Sequence, residues 1–121
     1  MTDAHGKSSS PTGARSWEIY HNNYSAQTNS GGVYAAIGMR GGDGVIFNNT
    51  VASNIAYPVM LEIEGAACGT YPATGQIRQA WIWNNGKVSN HCSNSIQLGR
   101  DYYNSAKSGY VPYAYPHPLR S

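Results

Sequence analysis

Hydrophobic residues along this chain recur every second position in short runs. Glu18-Ile19-Tyr20-His21-Asn22-Asn23, Gly44-Val45-Ile46-Phe47-Asn48-Asn49 and Ala80-Trp81-Ile82-Trp83-Asn84-Asn85 each read as a strand that ends in Asn-Asn. A second set follows: Ile37-Gly38-Met39-Arg40-Gly41, Leu61-Glu62-Ile63-Glu64-Gly65 and Ser95-Ile96-Gln97-Leu98-Gly99. Asn22 to Asn48 is 26 residues and Asn48 to Asn84 is 36, while Ile37, Leu61 and Ile96 are 24 and 35 apart. Both sets therefore give one period near 25 and one near 35. The excess of about ten residues falls in Ala66–Gln79, which reads as an inserted loop.

A repeat of this length built from short strands predicts stacked coils with parallel pairing. Aligned on their Asn-Asn ends, Tyr20, Ile46 and Ile82 stack in one inward column. Ile37, Leu61 and Ile96 form a second column, with Met39, Ile63 and Leu98 beside it. The first Asn of each pair has inward parity, so Asn22, Asn48 and Asn84 are expected to form an amide ladder. The second Asn suits the bend, because Asn tolerates the left-handed conformation. The plainer alternative is that Asn-Asn is only a common turn dipeptide.

Composition narrows the classes. Gly, Ser, Asn and Thr make up 44 of 121 residues, whereas charged residues are 12%. Three Leu are too few for a helical bundle, and a net charge of +2 is too small for an electrostatic nucleic-acid binder. No run approaches the ~20 apolar residues of a membrane helix. Residues 1–16 contain no apolar signal-peptide core and read as a flexible leader or a truncated end. Cys68 and Cys92 permit one disulfide or two free thiols. Gly41-Gly42-Asp43-Gly44 reads as a turn, since no Lys-Ser/Thr follows it as in a phosphate loop. His5, His21, His91 and His117 lack metal-ligand spacing, so no metal site is expected from them.

The outward parity holds the candidate chemistry. His21, Phe47 and Trp83 stack there, with Ile19, Val45 and Trp81 alongside. Flat rings with a polar N–H suit the apolar face of a sugar, so Phe47, Trp81 and Trp83 are candidate polysaccharide contacts. The plainer reading is that the Tyr/Pro-rich tail from Tyr110 to Leu119 covers them. In the second set, Gly38, Glu62 and Gln97 form one outward stack, and Arg40, Glu64 and Gly99 the other. Arg40, Glu62 and Glu64 are either a surface ion-pair group or, with Asp43, a substrate cleft whose carboxylates act on a glycosidic bond.

The three runs ending at Asn22-Asn23, Asn48-Asn49-Thr50 and Asn84-Asn85 resemble the right-handed parallel β-helix proteins of the pectate-lyase-like superfamily. The tail segments 99–104, 109–113 and 115–119 resemble the closing segment of secreted bacterial members, and the likeness covers about residues 17–119. It implies an all-β, right-handed parallel β-helix (a solenoid) of about three coils over 17–100, with an extended capping tail over 101–121. It also implies an extracellular or cell-surface protein, longer than this chain, that binds or processes polysaccharide. Alternatives are a free-standing glycan-binding or adhesion module and a small lyase or hydrolase. No complete catalytic constellation can be carried over, so catalytic residues stay unassigned. Calcium is implied by the family's lyases, but its six to eight oxygen ligands exceed what Glu62, Glu64 and Asp43 supply. Expected partners are polysaccharide and either preceding coils or a second copy at an open strand edge, with neither nucleic acid nor membrane.

Overall fold

The computed structural model describes residues 1–5, 14–27, 34–64, 68–114, 116 and 119. Gly65 and Ala66, residues 6–13 of the leader, and Tyr115, His117 and Pro118 lie outside the described residues. Ten strands and no helix occur among those described: β1 Thr2–Ala4, β2 Trp17–Tyr20, β3 Asn23–Tyr24, β4 Ala35–Met39, β5 Gly42–Phe47, β6 Thr50–Val51, β7 Tyr57–Leu61, β8 Ile77–Trp83, β9 Val88–Asn90 and β10 Tyr102–Tyr103. All pairings between them are parallel.

The strands form three sheets: a first ordered β1-β4-β7-β9, a second ordered β10-β8-β5-β2, and a third of β3 and β6. Successive strands enter the first, second and third sheets in rotation, twice through, and then alternate between the first two. Each strand thus pairs with one a whole circuit away, and inward side chains of one circuit sit over those of the next. Ile19, Ile46 and Ile82 form such a column on the second sheet. Ile37 and Val59, then Met39 and Leu61, do so on the first. These residues are all buried in one apolar cluster with Ile55, Ile77 and Ile96. Burial of each Ile or Leu side chain contributes about 1.5–3 kcal/mol. Glycine is required at position 44, where a Cβ would collide with the Trp17 carbonyl and ring.

Several expectations are corrected. The first circuit is displaced by one residue: Ile19, not Tyr20, lies opposite Ile46. The cause is local. His21 (φ 56°) occupies the left-handed corner that Asn48 (φ 53°) and Asn84 (φ 56°) occupy in the later circuits. His21-Asn22 therefore corresponds to Asn48-Asn49, and Asn23 already belongs to β3, opposite Thr50. In the two later Asn pairs the expected roles are exchanged, while Asn22 keeps its inner role. Asn22, Asn49 and Asn85 form the inner ladder: Asn22 Nδ2 donates to Asn49 Oδ1 (3.1 Å) and Asn49 Nδ2 to Asn85 Oδ1 (2.8 Å). Asn49 Nδ2 also reaches the Ile19 carbonyl and Asn85 Nδ2 the Ile46 carbonyl, each at 3.0 Å. These bonds make the burial of Asn49 and Asn85 tolerable. Asn48 and Asn84, the first Asn of the two later pairs, make an outer row instead, where Asn84 Nδ2 donates to Asn48 Oδ1 at 2.6 Å.

On the first sheet the register differs by two residues, which preserves parity: Met39 lies opposite Leu61, and Ile37 opposite Val59. The third member is β9, with Asn90 opposite Leu61. Ser95–Gly99 is not a regular strand there; its Ile96 is buried from a turn whose N–H bonds the Cys92 carbonyl at 2.8 Å. Residues 1–16 are not wholly a flexible leader, because Thr2–Ala4 is the edge strand of the first sheet. Gly42–Gly44 begins β5 rather than forming only a turn. β10, placed in the expected tail, pairs with β8. The cysteines do pair: the Cys68–Cys92 disulfide ties the segment after β7 to the turn after β9.

Candidate functional site

Residues just past the ends of β4, β7 and β9 continue the ladder of the first sheet. Arg40 N donates to the Ala4 carbonyl, Glu62 N to Met39 and His91 N to Leu61, at 2.8–2.9 Å. Met39 and Leu61 point inward, so alternation turns Arg40, Glu62 and His91 outward in a row across the strands. Asp3, opposite Gly38, takes the outward parity in β1, and His5 follows that strand. Glu64 joins from the segment after β7.

The row is a network of opposite charges. His5 lies between two carboxylates, Nε2 at 2.8 Å from Asp3 and Nδ1 at 2.9 Å from Glu64. Arg40 Nε is 3.4 Å from Asp3 and 3.8 Å from Glu62, and its Nη1 is 3.9 Å from Glu64. His91 Nδ1 is 3.6 Å from Glu62. Arg40 Nε is enclosed and lacks the alignment of a hydrogen bond, so its contacts are electrostatic only. Three carboxylates against one guanidinium leave −2 when both imidazoles are neutral. The side chains of Asp3, Arg40, Glu62, Glu64 and His91 are 23–30% exposed, so the row is reachable from solvent.

Aromatic rings flank it. Tyr57 meets the His91 ring edge-on at 4.8 Å, and Tyr34 meets Tyr57 at the same distance. Tyr34 Oη is 3.3 Å from His91 Nδ1, and its residue is 49% exposed. Partial loss of water around this phenol, then the neighbouring Tyr57 and the Glu62 charge, push its pKa above the ordinary value. The arrangement offers carboxylate acceptors, cationic donors and a half-exposed ring along one line.

The outer face of the second sheet is different. Tyr20, Phe47 and Trp83 stack in register, with ring centroids 4.8 and 4.4 Å apart and the last pair 3° from coplanar. Trp81 stacks on Tyr103 at 4.1 Å. Tyr110 of the tail sets its ring edge on Phe47 (5.8 Å) and donates its hydroxyl to Glu18 Oε1 (2.9 Å). Burial first, then that bond and the Glu18 charge, raise the Tyr110 pKa. Phe47 is only 3% exposed, so it cannot offer its face to a ligand. Trp81 and Trp83 stay partly exposed.

Of the expected site residues, Arg40, Glu62 and Glu64 are brought together, with Arg40 beside Glu62 rather than opposite Glu64. Asp43 is elsewhere, accepting from Ser16 N and lying 3.5 Å from Arg15. Phe47, Trp81 and Trp83 share the other face. Asp3, His5, His91, Tyr34 and Tyr57 were not legible as site residues. The parity of Asp3 was hidden in a segment too polar to read as a strand, and that of His91 depended on a three-residue strand.

Comparison with protein-family models, curated proteins and solved structures gives no match to this chain. Among the described residues no group of three or more His, Cys, Asp or Glu could hold a metal ion, and no helix is long and apolar enough to cross a membrane.

Proposed function

We propose that the chain folds as a right-handed parallel β-helix, pectate-lyase-like in its repeat, and binds polysaccharide along the outer face of the first sheet. The rotation of strands through three parallel sheets supports the fold reading. The binding reading rests on one observation: the transverse row of Asp3, His5, Arg40, Glu62, Glu64 and His91 beside the Tyr34 ring. A polymer crossing the strands meets a hydrogen-bonding side chain at each ~4.8 Å step. Sugar hydroxyls donate to the carboxylates and accept from the cations, while a ring face lies on Tyr34. The excess of carboxylates favours a neutral or amino-bearing glycan over a polyuronate. The disulfide suits an oxidising, extracellular setting.

The test is a glycan array on the wild-type chain and the Glu62→Gln/Glu64→Gln double variant. Retention of neutral or amino-sugar polymers should fall about tenfold or more in the double variant, the loss expected of two charged hydrogen-bond acceptors. Unchanged retention contradicts the assignment.

A further inference from the structure

The ring stack on the second sheet is closed at one column and open at the next. Trp81 lies opposite Tyr103 in β10, and the two rings stack at 4.1 Å. β10 stops at Tyr103, so no strand residue lies opposite Trp83. Trp83 stacks on Phe47 through one face, and no second ring stacks on it among the described residues. A cavity of about 310 Å³ opens beside it, lined by Trp83, Asn84, Asn85, Asn104, Gly86 and Val88. That volume is at the lower end of the ~300–1,000 Å³ range of small-molecule sites.

We propose that this cavity binds a single uncharged pyranose ring, stacked on Trp83 where a fourth aromatic would continue the column. The lining chemistry selects the class. Among the described residues it holds an indole, small apolar groups and three primary amides, and no charged side chain. A sugar hydroxyl donates and accepts at once, as does an Asn amide. Asn85 is committed to the inner ladder, with Nδ2 bonded to Ile46 and Trp83 carbonyls and Oδ1 accepting from Asn49. Asn84 gives one N–H to Asn48 and has further donor and acceptor capacity. Asn104, exposed at the rim, supplies the second polar contact. A phosphate or carboxylate ligand would meet no cation among the described lining residues. The site is separate from the charged row and does not depend on the polysaccharide reading of that row.

The experiment uses the full chain with methyl glucoside, methyl galactoside, methyl mannoside and N-acetylglucosamine, read by saturation-transfer NMR on the sugar. At least one sugar should give a saturable signal, strongest from the protons of one ring face. Asn104→Ala, at an exposed rim position, should weaken that binding about tenfold, the scale of one hydrogen bond. Trp83→Phe keeps a ring on Phe47 but shrinks the platform, and should also weaken it. Glu62→Gln/Glu64→Gln should leave it unchanged. No saturable signal from any of the sugars overturns the proposal. So does binding that survives both cavity variants, or binding lost in the double carboxylate variant.

Discussion

The outer faces of the first and second sheets are built on the same parallel pleat, yet they use its strand spacing in opposite ways. In-register residues on neighbouring strands are ~4.8 Å apart. On the second sheet that distance lets like stack on like, and Tyr20, Phe47 and Trp83 form a column at 4.4–4.8 Å. On the first sheet like charges at that spacing would repel, and carboxylates alternate with nitrogen bases: His91 next to Glu62, Glu62 next to Arg40, Arg40 next to Asp3. The consequence is a difference in wetness. Rings exclude water and accept a cover, Tyr110, that leaves Phe47 buried. Charges keep water, and the row remains partly exposed beside Tyr34. One scaffold thus carries a face covered at Phe47 and a face whose charged row stays in contact with solvent.

The sharpest way to break this contrast is to remove the middle ring. Phe47→Ala deletes a buried side chain held between two rings and should lower unfolding free energy by about 3–5 kcal/mol in urea titration. A loss below about 1 kcal/mol would mean that the stack carries little of the stability. Arg40→Met acts on the other face and should have a smaller effect. It leaves Asp3, Glu62 and Glu64 without their shared guanidinium, at a cost of about 1 kcal/mol in dilute buffer. That deficit should shrink when salt is raised, because exposed charges are screened. The Phe47→Ala deficit should not shrink in the same way. Equal salt responses would erase the distinction between the faces.

The legibility of these faces in the sequence follows from which residue turns the corner. Ile46 and Ile82 could be placed in one column because both runs end in Asn-Asn after the same number of residues. Tyr20 could not, because His21 takes the left-handed corner usually given to Asn or Gly and moves the whole first circuit by one position. The inner ladder was therefore assigned correctly at Asn22 but to the wrong Asn of the two later pairs, where Asn49 and Asn85 form it. On the first sheet, alternation put Arg40, Glu62 and Glu64 on one outward face correctly, since a shift of two residues preserves parity. The same alignment could not find β9, where Val88 and Asn90 replace the expected Ile96 and Leu98. Asp3 and His5 escaped because three residues of mixed polarity show no period. The cover over Phe47 is a contact 63 residues away along the chain, beyond the reach of any local pattern.

On the proposed function, the charged row, and not the covered part of the ring stack, receives an extended glycan. The decisive measurement is a titration of the ¹⁵N-labelled chain with a neutral or amino-sugar oligosaccharide retained on the array, followed by backbone amide shifts. Saturable shifts should cluster at Tyr34, Arg40, Glu62 and His91, with Val45 and Phe47 unmoved. Saturable shifts that leave Tyr34, Arg40, Glu62 and His91 in place would contradict it.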